Sequence, residues 1–91
     1  MSIQHNPTDQ QFTTTRDGLE AELAYSYPAD GVIDFTHTFV DEGLRGNGVA
    51  DELARTAMAF ARKEKLKVKT TCTFMAGFVA RNRDEYADLL A

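Results

Sequence analysis

Residues 39–61, FVDEGLRGNGVADELARTAMAFA, place Gly43, Gly46 and Gly48 in a tight turn between the end of a strand-like segment and a strongly amphipathic helical one. Glycine is the default residue where a backbone must enter the left-handed region. The start of a helix leaves N–H groups unpaired at the positive end of its dipole, which favours a bound phosphate. The junction therefore has two readings, an anion cradle or a turn that merely needs positive φ.

The helix that follows is expected over residues 48–64, with Val49, Leu53, Ala57, Phe60 and Ala61 on one stripe. Asp51 and Glu52 fall in its first turn and Arg62 and Lys63 in its last, as the dipole favours. Asn47 is the expected N-cap.

Upstream, residues 11–16 (QFTTTR) suit an edge strand, Asp17-Gly18 a hairpin turn, and residues 19–27 a half-buried strand in which Leu19, Ala21, Leu23, Tyr25 and Tyr27 share a face. A turn at residues 28–31 leads into a strand at 32–41. Simple alternation there puts Phe35, His37 and Phe39 on one face and Val32, Thr36, Thr38 and Val40 on the other. Apolar groups on both faces predict a central strand covered on both sides. Residues 66–72 (LKVKTTC) read as a strand that a right-handed crossover lays parallel to the previous one. Two short helical pieces, broken near residues 82–84, fill 74–90.

The order β-β-β-α-β-α predicts an α/β (α+β) fold, a mixed sheet with helices packed on it. A length of 91 residues predicts one domain, 1–91, with residues 1–8 a flexible arm. The net charge of −4 argues against nucleic acid as a partner, since such binding rests on clustered cations. One cysteine and two histidines make a structural zinc site improbable and exclude an internal disulfide, so no metal is expected and a reducing, cytoplasmic setting fits. No apolar run has the length of a membrane span. The basic series Arg62, Lys63, Lys65, Lys67 and Lys69 reads as a solvated face.

Two familiar phosphate loops do not fit the turn. The Walker pattern needs Gly-Lys-Ser/Thr, and a dinucleotide fingerprint needs a third glycine where Asp51 stands. The form Arg-x-x-Gly-x-Ala, from Arg45 to Ala50, instead resembles the acyl-CoA-binding core of the GNAT-fold N-acetyltransferases. Residues 31–38 (GVIDFTHT), the tripeptide Cys72-Thr73-Phe74 and residues 85–89 (EYADL) resemble a small single-domain branch of that family, across nearly the whole chain from residue 11.

The resemblance implies acetyl-CoA as cofactor. It places the pyrophosphate on the backbone of Leu44, Arg45, Gly46, Asn47, Gly48, Val49 and Ala50, and the pantetheine arm along Phe39, Val40 and Asp41. It also implies that the strands before and after the helix splay apart around the acetyl group. Cys72 is either a nucleophile, as the branch's cysteine is thought to be, or a small buried apolar residue, and Thr73 stands where the branch has proline. His37 is either a general base or a core histidine; Glu42 and Tyr86 have the right chemistry for a base and an acid. The function implied is an N-acetyltransferase whose acceptor is an amine, on a protein, a peptide or a metabolite, with a second copy of the chain able to complete the site. The alternative is a non-catalytic acyl-CoA-binding or interaction module.

Overall fold

A computed structural model describes residues 3–91. Its elements are β1 (Gln4–Asn6), β2 (Gln11–Arg16), β3 (Leu19–Ala29), β4 (Val32–Val40), α1 (Val49–Lys63), β5 (Lys67–Thr70), α2 (Thr73–Arg81) and α3 (Arg83–Tyr86), with 3-10 turns at Glu42–Leu44 and Ala87–Leu89. The strands form one sheet in the order β1-β2-β3-β4-β5, antiparallel except for the parallel β4–β5 pair across the α1 crossover. This is the expected α/β architecture with one strand added in front.

That strand corrects the flexible arm, of which residues 1 and 2 lie outside the described residues. His5 pairs with Phe12, stacks on its ring at 4.2 Å, meets Phe60 edge-on at 4.5 Å, and lies 2.6 Å from the Tyr25 hydroxyl through Nε2. An imidazole held by three rings and a hydrogen bond offsets the ordering entropy of a short edge strand.

A second correction concerns β4. Its partners on β3 run Thr38↔Leu23 and His37↔Ala24, then Phe35↔Tyr25 and Asp34↔Ser26, so Thr36 is an extra residue without a partner. A bulge of this kind inverts side-chain parity. Ile33 and Phe35 point into the core, Thr38 and Val40 continue on their side, and His37 and Phe39 emerge on the opposite face, both exposed. The helices pack on the first face only. β4 is therefore central but covered on one side, not two.

The core lies between that face and the helices. α1 presents Val49, Leu53, Ala57 and Ala61, as expected, together with Ala54 and Met58, to Phe12, Leu23, Ile33 and Phe35. Each large side chain so buried contributes roughly 1.5–3 kcal/mol. α2 adds Met75, Phe78 and Val79. The tail closes the β5 edge, where the Ala91 N–H donates to the Val68 carbonyl at 3.0 Å, blunting an exposed strand.

Candidate functional site

The site begins where β4 loses its second neighbour. β5 follows β4 only from Val32↔Lys67 to Phe35↔Thr70. At the vertex the Cys72 N–H donates to the Phe35 carbonyl at 2.8 Å, and the Asp34 carboxylate accepts from the Thr71 N–H (3.1 Å) and hydroxyl (2.7 Å). Beyond Phe35 the two strands part.

The consequence for β4 follows from its ladder. The Asp41 N–H donates to the Glu20 carbonyl at 3.0 Å, and hydrogen-bonded pairs alternate along an antiparallel ladder. The main chains of His37, Phe39 and Asp41 are thus engaged with β3. Those of Thr38 and Val40 point the other way, toward the opening.

The turn after β4 is built locally. Asp41 Oδ1 accepts from the Gly43 N–H at 3.0 Å, and the Leu44 N–H donates to the Asp41 carbonyl at 2.8 Å, which drives Leu44 into the core. A Cβ on Gly43 would lie 2.5 Å from Leu19 Cδ1, so a side chain there displaces the tip of Leu19. Arg45 is extended and the chain enters α1 through Gly48 at φ 76, ψ 8. Gly48, not Asn47, is the N-cap. Its left-handed backbone disfavours any Cβ, and no side chain caps the helix.

The first intrahelical bond runs from the Glu52 N–H to the Gly48 carbonyl at 3.0 Å. Among the described residues nothing accepts from the N–H groups of Gly46, Gly48, Val49, Ala50 or Asp51. No atom comes within 4 Å of where a Cβ would stand on Gly46 or Gly48, so this backbone faces open space.

Thr38 and Val40, this turn, the first turn of α1 and Phe74 of α2 enclose a cleft of about 480 Å³. Of the residues expected to bind cofactor, Val40, Leu44, Arg45, Gly46, Gly48, Val49 and Ala50 line it. Asn47, Phe39 and Asp41 do not: Phe39 is 44% exposed on the far face of the sheet, and Asp41 caps the 3-10 turn.

Cys72 stands at the vertex behind Thr38. It is 9% exposed, and its Sγ lies 3.0 Å from Thr38 Oγ1. His37 is on the opposite face, so the structure does not bring it to Cys72. Tyr86 is buried against Phe78, its phenol pushed up by burial, and Glu42 is exposed in the 3-10 turn.

Three contributors escaped the sequence. Thr38 reaches the cleft only because of the bulge, Phe74 only because α2 folds back across the opening, and Asp51 lies at the mouth with Arg81 Nη2 3.8 Å away. The arginine offsets a carboxylate beside an anion-favouring helix start, across a partner 30 positions away that no local pattern reveals.

Among the described residues no cluster of three or more His, Cys, Asp or Glu side chains could hold a metal, and no helix is long and apolar enough to cross a membrane.

Known proteins are similar to this chain in sequence and in fold. The family model described as GCN5-related N-acetyl-transferase matches residues 11–89. The protein NATD1 of Gallus gallus is 33% identical over 84 residues, covering 90% of this chain and 76% of the relative. NATD1 of Homo sapiens is 34% identical over 82 residues, covering 88% and 73%. The solution structure of a GCN5-like protein from Staphylococcus aureus superposes with a TM-score of 0.75 at 28% identity, over 99% of this chain and 87% of that one.

Proposed function

This chain belongs to the GCN5-related N-acetyltransferase family, and from that premise we propose that it binds acetyl-CoA in the 480 Å³ cleft and transfers the acetyl group to an amine. One observation carries the reading. The unpaired main-chain groups of Thr38 and Val40 run, within one cleft, into the bare N–H groups at the start of α1.

The two halves of that row suit the two halves of the ligand. The N–H groups of Gly46, Gly48, Val49 and Ala50 hold the pyrophosphate, aided by the helix dipole and by Arg45 at the rim. Thr38 and Val40 hold the amide-bearing pantetheine arm as an added strand would be held. The open β4 edge then presents N–H donors to the thioester carbonyl oxygen as it gains charge. The lone pair of the neutral acceptor nitrogen forms the new C–N bond while the C–S bond breaks. The thiolate leaves with the electron pair, and the proton shed by the amine passes to it or to solvent.

Cys72 favours this direct route. A thiol 9% exposed and bonded to Thr38 is placed to support the vertex, whereas a covalent carrier must meet both acetyl-CoA and acceptor. Cys72→Ala is expected to lower kcat/KM by less than about threefold; a loss of about 10²-fold or more, with an acetyl adduct on the intact wild-type protein, establishes the covalent route. The competing reading, a non-catalytic acyl-CoA-binding module, draws on the same burial of Cys72 and on the absence of His37 from the cleft.

Calorimetric titration with acetyl-CoA, CoA, ATP and NAD tests binding directly. Acetyl-CoA and CoA are expected to bind. Binding of ATP or NAD without them refutes the proposal, and CoA binding without transfer to any amine in a peptide panel supports the non-catalytic module.

A further inference from the structure

The sheet face away from the helices carries no covering element, and strand register orders its side chains into rows. Thr13 on β2, Glu22 on β3 and Phe39 on β4 stand side by side in one row, flanked by the row Gln11, Ala24, His37 and by the pair Thr15, Glu20. Such cross-strand neighbours have Cβ atoms about 4.5–5.5 Å apart. A shallow concavity of about 370 Å³ lies over this face, with Gln11, Thr13, Thr15, Glu20 and Glu22 in its lining.

Three properties of this face define its ligand. The first is unpaired negative charge. The carboxylates of Glu52, Glu85, Asp88 and Asp51 each meet an arginine, while among the described residues Glu20 and Glu22 meet no cation. The second is an exposed aromatic ring, Phe39, directly across from Glu22, which attracts a cation by its face as the carboxylate does by its charge. The third is shape. Three strands spaced about 4.8 Å apart make an open, shallow floor, which fits an extended chain better than a small molecule that needs enclosure. Lys67 and Lys69 lie on the same face but on β5, two strands from Glu22, so a second copy would meet both signs of charge, and the oligomeric state distinguishes that occupant.

Phe39 also sits between Thr38 and Val40 in sequence. A chain lying across it passes one residue from the β4 edge at which acetyl-CoA is proposed to present its thioester.

We propose that this open face, through Glu20, Glu22 and Phe39, docks a basic peptide segment and delivers one of its amines to the β4 edge. The proposal rests on the acetyl-transfer reading. It assigns the acceptor a class: a protein or peptide lysine flanked by further basic residues. His37, one row from Glu22 on the same face, is then beside the incoming ammonium rather than beside Cys72.

The test uses the full chain and separates docking from cofactor binding. A fluorescein-labelled twelve-residue peptide of alternating lysine and alanine is titrated by anisotropy, with a serine-for-lysine analogue as control, and acetyl-CoA is titrated by calorimetry on the same preparations. The lysine peptide is expected to bind at least about tenfold tighter than the control, and the double variant Glu20→Gln, Glu22→Gln to weaken it about fivefold to tenfold. Phe39→Ala is expected to weaken it by about threefold or more. Acetyl-CoA affinity is expected to stay unchanged in both variants, and amide shifts on peptide addition to centre on Thr13, Glu22, Ala24 and Phe39.

Equal binding of the two peptides, or shifts confined to the α1 face, overturns the docking proposal while bound acetyl-CoA leaves the transfer reading standing. Peptide binding without acetyl-CoA binding overturns the transfer reading and, with it, the assignment of the peptide as acceptor. A dimer by sedimentation velocity that Phe39→Ala dissolves shows a second copy on the face and also overturns the proposal.

Discussion

Thr36, Thr38 and Cys72 show how much a single position decides in this chain. The unpartnered Thr36 hands the strand's inward parity from Phe35 to Thr38, and Thr38 then joins the Cys72 thiol to the wall of the cleft. Thr38→Val keeps the volume and removes the hydroxyl. It is expected to cost about 0.5–1.5 kcal/mol in urea unfolding, with Thr38→Ser recovering most of it. Tyr25 and His5 supply a second prediction. Burial, aided by Tyr27, pushes the Tyr25 phenol up to about 12 from its ordinary 10, and burial pushes His5 down from 6.5. Above pH 10 the unfolded chain releases the tyrosine proton while the fold retains it, so stability falls as pH rises from 10 toward 12. Below pH 6.5 the unfolded chain takes up a proton on histidine that the fold resists, so stability falls as pH falls. Thermal melts from pH 5 to 11 are expected to show both declines, and His5→Phe to flatten the acid one.

At the scale of elements, the turn and α1 form one unit. Leu44 anchors the turn in the core, Gly48 sets the left-handed entry, and the helix starts without a side-chain cap. A Ser or Asp cap would stabilise most helices by about 1 kcal/mol; its absence leaves N–H groups free. Gly48→Val places a β-branched residue at φ 76 and projects it into the cleft. It is expected to destabilise the fold by about 1–2 kcal/mol and to raise the Kd for acetyl-CoA by more than about tenfold, read by chemical denaturation and calorimetry. A normal Kd in that variant removes the pyrophosphate from this backbone. β4 and β5 form the other unit. The pair holds up to Phe35 and Thr70, and the Asp34–Thr71 clamp ends it.

The whole molecule stacks all its helices on one side of a five-stranded sheet. A domain this small has little stability to spare, on the order of 5–10 kcal/mol. Leu53, fully buried where α1 meets the sheet, is a centre of that stability, and Leu53→Ala is expected to remove about 2–5 kcal/mol. Acetyl-CoA at a hundred times its Kd should return about 2.7 kcal/mol to the variant, because only the folded chain has the cleft. A melting temperature that does not rise with acetyl-CoA, in variant or parent, argues against the proposed ligand. The other side of the sheet bears none of this packing, so Glu20→Gln and Glu22→Gln should leave the melting temperature nearly unchanged.

Local chemistry determined the helix from Val49 to Lys63, the hairpin at Asp17 and Gly18, the parallel β5 and the glycine turn between β4 and α1. Each rests on periodicity, dipole or backbone freedom carried by neighbours in the chain. The motif from Arg45 to Ala50 falls, Asn47 apart, on backbone that lines the cleft. The bulge at Thr36 was not legible, because Thr36 is an ordinary strand residue and the bulge exists only in register with Ala24 and Tyr25. From that unreadable residue follow the inward turn of Thr38 and the outward turn of His37 and Phe39. β1 was equally hidden, since its polar residues hold to the sheet through His5 and the rings of Phe12, Tyr25 and Phe60, the last two far along the chain. The chain alone specifies a glycine turn that opens an amphipathic helix. Only the tertiary structure, by pairing β4 with β3 out of simple alternation and releasing it from β5, decides which groups line the cleft and which face is left open.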